Sequence, residues 1–404
     1  MAAQPLVGRT VMRGLLLASA VGAGVAAVNI SRRYQQSDHR AIDWEQVRRI
    51  SVGMVSKGVA LNEVSRPALE ARYRGWISEV EPKIGAYLQT ALPRPLETVY
   101  VFDRVEWIDA NIANFRRLFT PLEDVYNELI SRGMKTAPLV GGINQLVMSS
   151  QIGLLLGYLA KRVLGQYDMS LLGREPLNSG KLYFLEQNIH ATDQKLQLQA
   201  DQFRLWICLH EATHAYEFEA HPWLATHMNE QIDGHMQAVT NQIRHIKLDG
   251  AMVEETIHRV IGGIVEGRHW MELFMSDEQR RIFQHLQALM SLLEGYSNHV
   301  MDHIGGELMP DYGQIKRKFE MRRQKKSRAD QIFGKLTGLD LKMEQYSQGE
   351  RFVNAVVTER GIDFMNRVWE GPDALPTMQE IRDHRRWIQR IDSRGRHLFA
   401  LNNR

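Results

Sequence analysis

From about Asp43 onward, apolar residues recur every three or four positions with charged residues between them, through 44–92 and again through 104–131. Such spacing gathers the apolar side chains on one face of a 3.6-residue turn, so it predicts amphipathic helices. The stretch Pro138–Leu164 is more continuously apolar and contains Gly153-x-x-x-Gly157, a close-packing helix pattern. Asn144, Gln145, Ser149, Ser150 and Gln151 interrupt it, which favours a buried core helix over a membrane span. A switch to a β-prone run occurs at Lys181–Glu186, opened by Asn178-Ser179-Gly180, and predicts a strand. A helix follows from about Asp201 to Ala220, stopped by His221-Pro222. Further helices are expected at 227–247, 252–266, 277–304 and 341–360. No fixed-period repeat is visible.

The first forty residues break this pattern. Arg9 and Arg13 precede an uncharged apolar stretch, Gly14–Ile30, and Arg32 and Arg33 follow it. Roughly 20 apolar residues cross a bilayer, so this segment is marginal: a short anchor, a signal-type apolar region, or a helix packed on its own protein. Arginines on both sides leave orientation unread. The chain thus divides into an extension, 1–42, with possible membrane contact through 14–30, and a body, 43–404. Location is open between membrane-associated and cytoplasmic.

Composition narrows the partners. A net charge of +3 over 404 residues gives no reason to expect a nucleic-acid partner. Eight lysines and arginines crowd 316–328, but with only Phe319 among them base stacking has little support, and a solvated helix flank is the favoured reading. The single cysteine, Cys208, rules out internal disulfides and cysteine-rich zinc ribbons.

The chemistry concentrates in His210-Glu211-Ala212-Thr213-His214. Imidazoles four residues apart on a helix face the same way and can reach one ion. Glu211, beside that ion without binding it, can take a proton from a zinc-bound water. The neighbours Ile207, Cys208, Leu209, Ala212, Thr213 and Ala215 are uncharged, as a helix beneath an active site requires. A catalytic zinc needs a third protein ligand and an open position. The metzincin pattern is absent, because Glu217 and Ala220 stand where it needs Gly and His. His221 lies seven residues past His214, about 10 Å along the axis, too far to share an ion. Glu217, one turn on from His214, suits a supporting role or a polar surface.

The third ligand must come from elsewhere, and Glu294 is the best candidate. It is a carboxylate in a strongly apolar run, Leu292–Asp302, where an unpaired charge would be costly. Asn298, one turn on, could accept the Nδ1–H of a zinc histidine. Tyr296, His299 and His303 are candidate transition-state donors. Arg204 and Trp206, at the start of the helix, suit packing or support of the sheet.

At these residues the chain resembles a bacterial family of zincin-like, zinc-dependent metalloprotease-like hydrolases, one linked to biosynthesis of a deazaflavin coenzyme. The resemblance runs from about Asp43 to the end. It is carried by Phe102-Asp103-Arg104 with Trp107-x-x-x-Asn111, by Leu164-Gly165-Gln166-Tyr167-Asp168, and by Phe203-Arg204-Leu205-Trp206 leading into the HExxH. Pro222-Trp223-Leu224, Glu294-Gly295 with Val300-Met301-Asp302, Gly338–Lys342 and Asn366-Arg367-Val368-Trp369 complete it. It implies a mainly α, gluzincin-like fold with a small β-sheet beside the active-site helix. It also implies zinc on His210, His214 and Glu294, with Glu211 as acid/base. The extension before Asp43 departs from that family. The expected function is a zinc-dependent hydrolase, a metallopeptidase acting on a peptide or protein, with Lys181–Glu186 as an edge strand for the substrate. The alternative is a non-catalytic zinc-stabilised scaffold or a membrane-associated binding protein.

Overall fold

The computed structural model describes residues 40–55, 65–131, 138–167, 181–245, 277–324 and 340–402. The apolar 14–30 segment and the expected helix at 252–266 lie outside them.

The helical pattern of 44–92 gives two helices among the described residues, α1 (Trp44–Val55) and α2 (Arg66–Leu88). Asp43 caps α1 by accepting the N–H of Gln46 at 3.0 Å. In α2, Tyr73, Ile77, Val80, Ile84 and Leu88 form the buried stripe that the sequence period predicts. Gln89 ends it in the left-handed region, φ 52°, with its N–H returned to Gly85. α3 (Arg104–Ser131) and α4 (Pro138–Ala160) follow. On α4, a Cβ at Gly153 would come within 2.9 Å of Ile50, and one at Gly157 within 2.6 Å of Met54. The glycine pair therefore admits α1 at close range, as the core-helix reading expects. No described helix is long and apolar enough to cross a membrane.

The sheet has three short strands, β1 (Val99–Phe102), β2 (Gly165–Tyr167) and β3 (Leu182–Leu185), in the order β1-β3-β2. β1 pairs with β3 in parallel, Val99 opposite Leu182. β2 pairs with β3 antiparallel, Gly165 opposite Phe184. This corrects one expectation. The strand at 181–186 is the central one, paired on both sides, so it is no edge for a substrate. The two strands beside it are too short to show a period in the sequence.

The remaining helices are α5 (Glu186–Leu196), α6 (Ala200–Glu219), α7 (Pro222–His245), α8 (Asp277–Leu308), α9 (Tyr312–Gln324) and α10 (Asp340–Arg360). A string of short turns then leads through α11 (Ile362–Met365) and α12 (Met378–Arg382) to α13 (His384–Asn402). Pro222 opens α7 rather than merely closing α6, since its missing N–H costs nothing in a first turn. Buried side chains form two clusters. One joins α1, α3 and α4 through Trp44, Val47, Trp107, Ile108, Ile152 and Leu156. The other surrounds α6, which is buried along most of its length and packs on α2, β2 and α8.

Candidate metal centre

α6 lies in the larger core because its Leu205–Leu209 segment, Ala212 and Ala215 are all buried. That leaves His210 and His214, half-buried, on the side that faces the cavities. Their Nε2 atoms are 3.3 Å apart. Two zinc–nitrogen bonds of about 2.0–2.1 Å at a tetrahedral angle require about this separation. Glu294 of α8 supplies a carboxylate oxygen, and the three ligand atoms lie within 4.8 Å of one another. The sequence-predicted trio is therefore brought together, and it could hold a metal ion.

The position of Glu294 depends on how closely α8 meets α10. A Cβ on Gly295 would fall 2.2 Å from the carbonyl carbon of Gly349, and one on Gly349 would fall 1.8 Å from the carbonyl oxygen of Ser291. Neither position tolerates a side chain, so the two backbones touch beside Glu294.

Each imidazole is oriented through its other nitrogen. His214 Nδ1 lies 2.7 Å from Glu217 Oε2, and His210 Nδ1 lies 2.9 Å from Ser297 Oγ. Such outer contacts fix which ring nitrogen faces an ion. Glu217 is 1% exposed, so it is a buried support rather than surface decoration. Burial alone would lower the pKa of His214, but Glu217, Glu294 and Glu211 outweigh it and push the value up to about 9. Three carboxylates around two imidazoles form surroundings that a divalent cation compensates. The donor set thus fits a zinc ion in number, type and spacing.

Glu211 is buried, and its Oε2 accepts the Tyr167 N–H at 2.9 Å. Burial pushes its pKa up to about 7, with Glu294 adding to the rise and His214 and the Tyr167 N–H opposing it. Gly165 makes room for it: a Cβ there would stand 2.6 Å from Glu211 Cγ.

Other predicted roles fall elsewhere. Asn298 bonds to neither histidine and lines the cavity; Ser297 takes the place expected of it. The signal available for Ser297 was a hydroxyl three residues past Glu294 in an apolar helix. Tyr296 donates to Asn366 at 2.7 Å. His299 sits between Tyr87, 2.6 Å, and Asn354, 2.5 Å. His303 stacks on Tyr87. These three fasten α8 to its neighbours and do not line the cavity. Arg204 ties α6 to Glu186, at the end of β3, and to Asp193 of α5. Trp206 lies parallel to His210, with ring centres 6.3 Å apart. Part of the basic run is engaged: Lys316 bonds Asp302 and Glu350, Lys318 the carbonyl of Gln197, and Arg322 the hydroxyl of Thr192.

The cavity over the centre measures about 240 Å³ and also reaches Asn298, Asp302, Tyr312, Lys316 and Glu350. A buried helix carrying two imidazoles and a carboxyl, with a third donor from a distant helix and a small sheet alongside, defines the zincin class. The chain matches the zincin-like metallopeptidase family over residues 42–388 and belongs to it. A solved structure from Chloroflexus aurantiacus, described as a putative hydrolase with a novel fold, is 40% identical to this chain. It covers 87% of this chain and 99% of its own, with a TM-score of 0.65. No curated protein matches.

Proposed function

We propose that this protein is a zinc-dependent peptidase, with zinc on His210, His214 and Glu294 and with Glu211 as its acid/base. The observation that carries the reading is the 3.3 Å approach of two Nε2 atoms beside a carboxylate, with a cavity open above them. Zinc held there supplies a Lewis acid that polarises a carbonyl and makes water a nucleophile near neutral pH.

The chain's own residues do the rest. The Glu211 carboxylate accepts a proton from water and later delivers it to the departing amine. An affinity for protons near neutrality suits both halves of that task. The Tyr167 N–H holds one of its oxygens, which fixes the direction of the other. Glu217 and Ser297 keep the imidazoles turned toward the ion. An extended substrate would lie along β2, the outer strand beside Glu211, in place of β3. In the antiparallel pair, Leu164 accepts from Leu185, so Gly165 turns its backbone groups away from β3 and toward such a substrate; Tyr167 is turned the same way, with its N–H given to Glu211.

Metal analysis of the purified chain beside His210→Ala and Glu294→Ala tests the ligand set. Stoichiometric zinc in the parent and loss in both variants is expected; full zinc in Glu294→Ala overturns it. A peptide-library digest comparing the parent with Glu211→Gln tests the chemistry. Bound zinc with no cleavage by the parent would point instead to a zinc-stabilised scaffold.

A further inference from the structure

A second cavity, of about 330 Å³, meets the first at the same cluster. Both are lined by Gly165, His210, Glu211 and Glu294, but their other walls differ in kind. The first brings polar groups, Asn298, Asp302, Tyr312, Lys316 and Glu350, together with the apolar Trp206, Met301 and Phe319. The second is apolar, with Tyr167, Phe218, Met228, Met290 and Leu293.

Three elements place these lobes on opposite sides of the centre. Along α6, Trp206 precedes His210 and lines the polar lobe, whereas Phe218 follows His214 and lines the apolar one. Along α8, Met290 and Leu293 precede Glu294 on the apolar side, and Asn298 and Asp302 follow it on the polar side. Along β2, Leu164 belongs to the polar lobe and Tyr167 to the apolar lobe. Trp206 and Phe218 are about 18 Å apart along the helix axis at 1.5 Å per residue. An extended chain advances about 3.3 Å per residue, so the combined cleft spans about five residues.

The apolar lobe has the walls of a recognition pocket. Phe218, Met228, Leu293 and Tyr167 belong to the larger core and are at most 6% exposed, so these walls are held by packing behind them. Tyr167 is held in place by stacking on Phe218, with ring centres 5.7 Å apart, and by donating to Glu219 at 2.7 Å. Met290, half-buried at the wall, is the adaptable element, because an unbranched thioether refits to different shapes.

We infer that the lobe bounded by Tyr167, Phe218, Met228, Met290 and Leu293 is a specificity pocket for a large apolar side chain of a peptide held across about five residues. This rests on the peptidase reading above for its chemistry. The bond hydrolysed then lies inside a chain: hydroxide from water joins the carbonyl carbon, the C–N bond breaks, and the proton goes to the amine.

The test uses the zinc-loaded full chain and blocked alanine hexapeptides carrying one Leu, Phe or Asp at each position in turn. Cleavage is read as kcat/KM, and binding is read on zinc-loaded Glu211→Gln by calorimetry. Leu and Phe should exceed Asp by about 10-fold or more at one position only, in both measurements. Met290→Trp, which fills the lobe, should shift that position toward alanine while zinc content stays unchanged. Equal binding of the Leu, Phe and Asp peptides, or an unchanged profile in Met290→Trp, overturns the pocket. Apolar-selective binding without any cleavage by the parent supports the pocket and sinks the peptidase reading.

Discussion

Gly165 on β2 and Glu211 on α6 stand so close that a methyl group at position 165 would sit 2.7 Å from Glu211 Oε1. The strand and the catalytic candidate therefore share a single space, and the smallest side chain would displace the carboxyl. Gly165→Ala should keep its zinc, since no proposed ligand is touched, yet lose turnover by about 100-fold, the effect of an ångström-scale misplacement. Peptide hydrolysis measured beside metal content checks this. Wild-type activity in a properly folded variant would show that the placement of Glu211 is immaterial.

Glu217 and Ser297 are predicted to act on affinity for the ion rather than on chemistry. Glu217→Gln keeps the shape but removes the charge opposite His214, and zinc affinity should fall by about 10- to 100-fold. Ser297→Ala should produce a smaller loss through His210. Competition with a chelator of known strength reads both. Unchanged affinity in Glu217→Gln would reduce that residue to packing.

Arg204 joins two carboxylates at the root of α6, and Tyr73 donates to one of them, Glu186, at 2.6 Å. Removing only the cation would strand Glu186 and Asp193, whose side chains are 14% and 1% exposed. Arg204→Met should therefore cost about 3–5 kcal/mol in denaturant unfolding. Adding Glu186→Gln should recover part of that cost. A loss under about 1 kcal/mol would mean that the group is held together by its surroundings.

Acid sensitivity has a named contributor at the other end of the chain. Burial pulls the Glu380 pKa upward, but two bonds from Arg390, at 2.6 and 3.0 Å, and the Thr377 N–H hold it below its ordinary 4.5. A carboxyl lower in the folded than in the unfolded chain stabilises fully above the unfolded value. That contribution is lost as pH falls through the lower, folded value. The stability gap between the parent and Glu380→Gln should accordingly be flat from neutrality to about pH 5 and close below 4.5. Unfolding curves at several pH values measure it, and a gap that widens in acid would reverse the assignment.

Much of this is legible in the amino-acid sequence. The helix bearing His210 and His214 could be read because a four-residue spacing is itself a geometric statement. Glu294 is a candidate because a carboxylate in an apolar helix demands a partner, and the family resemblance singles it out. Strands β1 and β2, four and three residues long, are too brief to establish an alternation. The choice of Ser297 over Asn298 turns on the rotation of α8 about its axis. That rotation is set by the meeting of Gly295 with Gly349, a contact between segments far apart in sequence. The strand order, which makes β3 central and moves the proposed substrate edge to β2, is likewise a property of pairing that no single segment encodes.

Because the two imidazoles belong to α6 and the carboxylate to α8, no short fragment of this polypeptide holds all three donors. Capture of an ion by this trio would have to wait until those helices have docked, and the bound ion would in turn resist their parting. Zinc uptake would therefore double as a clock for the last stage of folding. A chelator should loosen tertiary structure and not merely silence an enzyme.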